Sequence, residues 1–274
     1  MSTILHFASW ELGIAFFLLM MLSGWAGVYT QSLISSTGSH ESKENTRIAD
    51  ASIALFALLL AFSFSGAADR YENRKGFRLD EAIAIGDFAA TASMLSGSER
   101  EQIQQELVGY VKERLAFGSA TIDSPEMQAI TARSRESQQR IQNVLRQIIT
   151  EKKSTTLHTP LMNGFNGITM THDKALYGSQ NQISDTIIIL LVLFGLVSAF
   201  VAGRFGSGAN HSTSFIQAMA PVTLYIALVT AVFFVVMDLE QPHRGVMRSS
   251  KAPLIDLLNA LEQPAEQAPT KIKP

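Results

Sequence analysis

The chain has 274 residues, 47% of them hydrophobic and only 17% charged, with no cysteine and a net charge of −2. A charged fraction that low, with a mean hydropathy of +0.16, is unusual for a soluble domain of this size and points to a membrane protein. The lack of cysteine excludes a disulfide framework, a thiolate metal site and a cysteine nucleophile.

Four uncharged apolar runs, 12–34, 51–68, 186–203 and 215–237, have the length that a helix needs to cross about 30 Å of hydrocarbon, roughly 17–25 residues. The first has no Lys or Arg before it and no A-x-A step, so it reads as a retained anchor rather than a cleaved signal peptide. The second ends in "FSFSGAADRYENRK", where an oily helix runs into charge. No proline interrupts 51–95, so one helix is expected to continue well past the apolar run, with Arg70, Arg74 and Arg78 on one face and Glu81 beside Arg78. That face reads either as a positive-inside anchor on anionic headgroups or as a basic vestibule at a pore mouth. Within the span, Leu58, Phe62 and Ser65 share a face that suits an apolar constriction gating by dewetting. Ala54, Ala57, Ala61, Ser65 and Ala68 form a small-residue stripe suited to close helix contact, the favoured role for this span.

Beyond it, Ser98 and Glu101 predict a capping box for a helix with Ile103, Leu107, Tyr110, Val111 and Leu115 on its apolar side. Ser124 followed by Pro125 predicts the start of another, expected to pack firmly only near its ends or to meet a partner subunit there, because its apolar positions thin out through "TARSRESQQR". The stretch "MNGFNGITMTHDKALYGSQNQ" reads as a helix or a broken helix, and its His172–Asp173 pair as solvated. In the third span Gly195, Ala199 and Gly203 repeat the small-residue spacing, as do Ala227 and Ala231 in the fourth. After the fourth span, "MDLEQPHRG" ends the helix at Pro242 and crowds Asp238, Glu240, His243 and Arg244 together. Leu254, Leu257, Leu258 and Leu261 behind Pro253 predict a short amphipathic helix, either lying on the membrane or docking on the other helices.

Basic residues orient the chain. Only Lys43 and Arg47 lie between the first two spans and only Arg204 between the last two, whereas fourteen lie between Asp69 and Asp185 and five follow the fourth span. Both termini and the middle segment are therefore expected in the cytoplasm. The expected class is all-α, four transmembrane helices with a long, mostly helical cytoplasmic insertion between spans 2 and 3. The expected division is 1–68 (spans 1 and 2), 69–185 (cytoplasmic helices), 186–240 (spans 3 and 4), 241–262 (amphipathic helix) and 263–274 (disordered tail).

Three separated motifs carry a resemblance. "LLLAFSFSGAADRYENRK", "DEAIAIG" and "MDLEQPHRG" resemble, in order along the chain, the signature of a bacterial bestrophin-like membrane family. The matching positions include Arg70, Glu72, Arg74, Glu81, Gly86, Asp238, Pro242 and Gly245, with departures at Ile83 and Glu240 and an added Gly76 and Phe77. The resemblance implies a homo-oligomer in the bacterial inner membrane and an anion-leaning channel with a hydrophobic neck on the second span. It also implies a calcium belt, for which the sequence offers no acidic loop of suitable spacing.

Other chemistry finds little support. The six histidines form no metal-ligand spacing, and no nucleophile elbow or phosphate loop occurs. Fourteen basic and fifteen acidic residues in the middle segment offer no overall attraction to nucleic acid. No enzyme activity, metal or cofactor is expected, and the partners are the bilayer, further copies of the chain and an unknown cytoplasmic protein. No ionisable residue lies within a span, which weighs against a proton- or ion-coupled transporter. The two readings left are an ion channel and a non-conducting membrane scaffold acting through its cytoplasmic helices.

Overall fold

The structure is a computed structural model that describes residues 7–35, 43–118, 124–151, 153–206, 215–241, 247 and 250–263. Pro242, His243, Arg244, Gly245 and the tail from 264 onward lie outside the described residues. Eight α-helices are described: α1 (Ser9–Ser35), α2 (Lys43–Ala92), α3 (Ser98–Phe117), α4 (Pro125–Thr150), α5 (His158–Gln180), α6 (Asp185–Gly206), α7 (Phe215–Leu239) and α8 (Ala252–Glu262). No strand occurs among the described residues. Helices α1, α2, α6 and α7 hold the four apolar runs and are long and apolar enough to cross a membrane. The expected continuation of the second span is present: α2 is unbroken over 50 residues.

The chain forms two compact units, one of Met1–Tyr71 with Gln182–Met247 and one of Glu72–Asn181 with Arg248–Pro274. In the first, α1, α6 and α7 pack around Phe16, Met20, Leu191, Ile226 and Phe233, with Phe16 and Phe233 stacked at 4.1 Å between centroids. Close approach of α1 and α6 depends on glycine: a Cβ at Gly203 would run into the Gly24 carbonyl, and one at Gly27 into the Phe200 carbonyl. The small-residue spacing of the third span is thus used inside the chain, with Ala199 fully buried. That of the fourth span is not, since Ala227 and Ala231 are exposed.

In the second unit the continuation of α2 packs with α3, α4, α5 and α8 around Ile85, Phe88, Leu107, Tyr110, Leu145 and Ile168. Two expectations need correction here, and one alternative is settled. Helix α3 starts one residue earlier than a capping box requires: its N-cap is Gly97 at φ 81, with no side-chain cap bond, so Ser98 already lies in the helix. Helix α4, capped as expected by Ser124 Oγ accepting from Met127 N at 3.1 Å, packs through its middle as well as its ends. Ser134, Ser137 and Gln138 supply that middle contact, buried polar residues that an apolar pattern does not reveal. Helix α5 is one continuous helix rather than a broken one. The amphipathic α8 docks on this helical core: Leu254 is buried, Leu257, Leu258 and Leu261 pack beside it, and Gln104 Nε2 donates to the Leu261 carbonyl at 2.8 Å.

Candidate functional site

The span part of α2 is the least covered of the four apolar helices: 22% of its most apolar window is buried, against 44% for α7. Phe56 and Leu60 turn into the core, and Ser63, also buried, satisfies its hydroxyl on the Leu59 carbonyl at 2.9 Å. The opposite arc is bare. Leu58 is 53% and Phe62 69% exposed, and Ser65 continues that face outward. Ala54, Ala57 and Ala61 are exposed too, so of the small-residue stripe only Ala68, at its end, packs against the core of this unit. The apolar arc and the stripe lie side by side on one uncovered surface.

At the far end of this unit, the acidic step after α7 is a junction between helices. Asp238 and Glu240 are both buried, and they serve different partners because residues two apart point in different directions. Asp238 Oδ1 accepts from Ser9 Oγ at 2.9 Å and its Oδ2 from Met247 N at 2.9 Å. Gln241 adds to the start of α1, its Oε1 accepting from Ser9 N and its Nε2 donating to the Phe7 carbonyl. Glu240 binds Arg70 through Oε1, at 2.6 Å from Nη2 and 2.8 Å from Nε, and its Oε2 accepts from Ile183 N just before α6. Asp238 and Gln241 thus hold the start of α1 through the Ser9 hydroxyl and N–H, while Glu240 accepts from the backbone just before α6 and fixes the arginine where α2 leaves its apolar run.

The three arginines at i, i+4 spacing meet different fates. Arg70 is paired as described. Arg74 is buried and reaches the carbonyl of Asn181, the C-cap of α5, at 3.5 Å. The half-buried Arg78 lies by Gly118, the C-cap of α3. Cations at helix C-termini are stabilised by the unpaired carbonyls there. The basic face, read from the sequence as a headgroup anchor or a vestibule, thus contacts the chain's own helix ends and Glu240. Glu72 is exposed beside Lys75, 3.6 Å away. Gly86 has room: an added Cβ would stand 3.7 Å from Leu257 Cδ1, and nothing in the structure explains a requirement for glycine there.

Glu81 lies at the centre of the second unit, only 1% exposed. It holds Arg114 in a forked pair, Nε to Oε1 at 2.5 Å and Nη2 to Oε2 at 3.1 Å, and Oε1 also accepts from Tyr110 Oη at 3.0 Å. Tyr110 Oη in turn meets His172 Nδ1 at 3.0 Å and Gln138 Nε2 at 3.4 Å, and the Arg114 guanidinium stacks over Phe117. His172 is therefore buried, not solvated; only its neighbour Asp173 faces out. Burial, with the positive charges of Arg114 and Arg135 behind it, lowers the His172 pKa to about 3 and keeps the ring neutral. Burial likewise raises the Tyr110 pKa well above normal, aided by the Glu81 charge, so the phenol keeps its proton and donates. Of this network the sequence marked Glu81 as a motif position, Tyr110 as an apolar-side residue and His172 as solvated; Arg114, four beyond Tyr110 on the same side of α3, was the signal missed.

A family model for the bestrophin-like domain matches residues 45–254. The chain belongs to the bestrophin-like family. This bestrophin-like protein also shares its fold with solved structures of a bacterial bestrophin homologue from Klebsiella pneumoniae. One single-site variant aligns with a TM-score of 0.67 at 16% identity, covering 93% of this chain and 96% of that one. A second gives 0.63 at 14% identity, with 90% and 95% covered. No curated protein matches the chain. The family and its four apolar helices make it a membrane protein.

Proposed function

We propose that this protein is an ion channel formed by a closed ring of identical copies, with α2 facing the conduction path. The observation that supports it is the bare arc of α2. Leu58 and Phe62 expose apolar surface on the span that the chain's own helices cover least, and the adjacent small-residue stripe is free to meet a neighbouring copy. In such a ring Leu58 and Phe62 form a dewetted constriction and Ser65 its polar edge. The anion preference that the family resemblance implies rests on the positive face further along α2. Arg70 shares its charge with Glu240 and Arg74 is buried, so the half-buried Arg78 carries that part of the proposal. The membrane is the bacterial inner membrane, with both termini and the segment 69–185 on the cytoplasmic side, in keeping with the distribution of basic residues.

The test is ion flux into liposomes holding the purified protein, after its detergent-corrected mass has been measured. A ring of four or more copies with flux that rises in Phe62→Ala supports the pore path. A stable monomer, or flux unaltered in both Leu58→Ala and Phe62→Ala, removes it and leaves the scaffold reading.

A further inference from the structure

The buried network around Glu81 contains three polar atoms without a protein partner among the described residues: Arg114 Nη1, His172 Nε2 and Ser134 Oγ. All three residues are more than nine-tenths buried. They belong to three helices joined by the Glu81 and Tyr110 hydrogen bonds. Arg114 lies one turn beyond Tyr110 on α3, Ser134 one turn before Gln138 on α4, and His172 touches Tyr110 from α5. Groups of this kind are satisfied by ordered water or a small polar ligand, because leaving them bare in a protein interior is costly.

Hydrogen-bond roles restrict the ligand. Ionised Glu81 only accepts, so the Tyr110 hydroxyl donates to it and must accept from His172. His172 then carries its proton on Nδ1, and Nε2 presents a lone pair that needs a donor. Arg114 Nη1 only donates, and the Ser134 hydroxyl does either. The charge of Arg114 is already matched by Glu81 at 2.5 Å, which leaves the exposed Arg135 as the other positive charge acting on His172.

We infer that the core of the second unit is a hydration site, in which internal water is held by Arg114 Nη1, Ser134 Oγ and His172 Nε2, and from which halide is excluded. Water both donates and accepts and so meets all three atoms; a halide would face the lone pair of Nε2. The family-motif carboxylate Glu81 thereby acquires a role as the anchor that sets the proton positions of the site, separate from any conduction path.

The experiment is a structure of the full-length protein, grown or soaked in bromide, at a resolution that shows ordered water. The expected result is a water peak within hydrogen-bond reach of His172 Nε2 and of Arg114 Nη1 or Ser134 Oγ, without anomalous bromide signal. A bromide peak there, or a dry site, overturns the inference. Nitrogen NMR of His172 supplies a second reading in solution: a proton on Nδ1 is expected, and one on Nε2 overturns the assignment. Ser134→Ala, a mild change on α4, should fold and reduce the water occupancy; an identical water peak in that variant would also count against the site.

Discussion

Arg70→Met should destabilise the first unit without touching any proposed pore-lining side chain. Glu240 is 0% exposed and makes three bonds, two to Arg70 at 2.6 and 2.8 Å and one to Ile183 N at 3.0 Å. Removing the arginine leaves a buried carboxylate with a single donor. Breaking a buried pair from one side costs about 3–5 kcal/mol. The Arg70 side chain is 25% exposed, so solvent screening brings the expected loss to about 2–3 kcal/mol. At roughly 2–4 °C per kcal/mol for a chain of this size, Tm should fall by about 5–10 °C. The assay is thermal unfolding in detergent, followed by the size-exclusion peak of folded protein. The double variant Arg70→Met with Glu240→Gln should recover more than half of the loss, because a neutral amide oxygen still accepts from Ile183 N and no unpaired charge remains. An unchanged Tm in the single variant, or a double variant as unstable as the sum of the singles, would refute the reasoning. Under the channel proposal, ion selectivity per folded protein should stay as in the parent, in contrast to what a free vestibule arginine would do.

Gly203→Val should prevent the approach of α1 and α6, at about 3 kcal/mol or more, because the obstructing atom is the Gly24 backbone carbonyl and cannot rotate away; normal yield and Tm would contradict this. Gly86→Ala should be neutral or raise stability by up to about 1 kcal/mol, since the site has room for a methyl group and alanine loses less backbone entropy in a helix; a marked loss in the same thermal assay would show a constraint the contacts do not contain. His172, with its folded pKa lowered to about 3, stabilises the fold less as acid is added. Above the unfolded value of about 6.5 the ring is neutral in both states and nothing is lost; below it only the unfolded chain takes up the proton, which costs about 2 kcal/mol by pH 5. His172→Gln should therefore show a shallower fall of Tm between neutral pH and pH 5, and an equal fall would refute the assignment.

What the sequence made legible was the part of the fold set by apolar runs and helix punctuation. The four spans, the uninterrupted α2, the Ser124–Pro125 start of α4 and the leucine face of α8 each arise from local hydrophobicity or a cap, and the structure has them in place. The buried polar contacts were not legible, because their partners lie far apart in the chain. Arg70 and Glu240 are separated by 170 positions, and Tyr110 and His172 by 62. A capping box was expected at Ser98 from residue types alone, yet the chain enters α3 through Gly97 and places the serine inside. Ser134 and Gln138 lie where apolar positions thin out, so a pattern of hydrophobicity gave no sign that both are buried.

The arginines of α2 show how far such a pattern carries. A spacing of i, i+4 puts Arg70, Arg74 and Arg78 on one helix face, but it cannot say what that face meets. Arg70 meets a carboxylate, whereas Arg74 and Arg78 meet the C-termini of α5 and α3. Replacing a cation at a carbonyl-rich helix end removes a modest favourable interaction and leaves no buried charge behind; replacing Arg70 leaves Glu240. The three positions are thus unequal tests of the channel proposal. Selectivity changes in Arg78 variants bear on permeation, while any effect at Arg70 or at the buried Arg74 must first be separated from the stability of the Glu240 junction or of the α5 end.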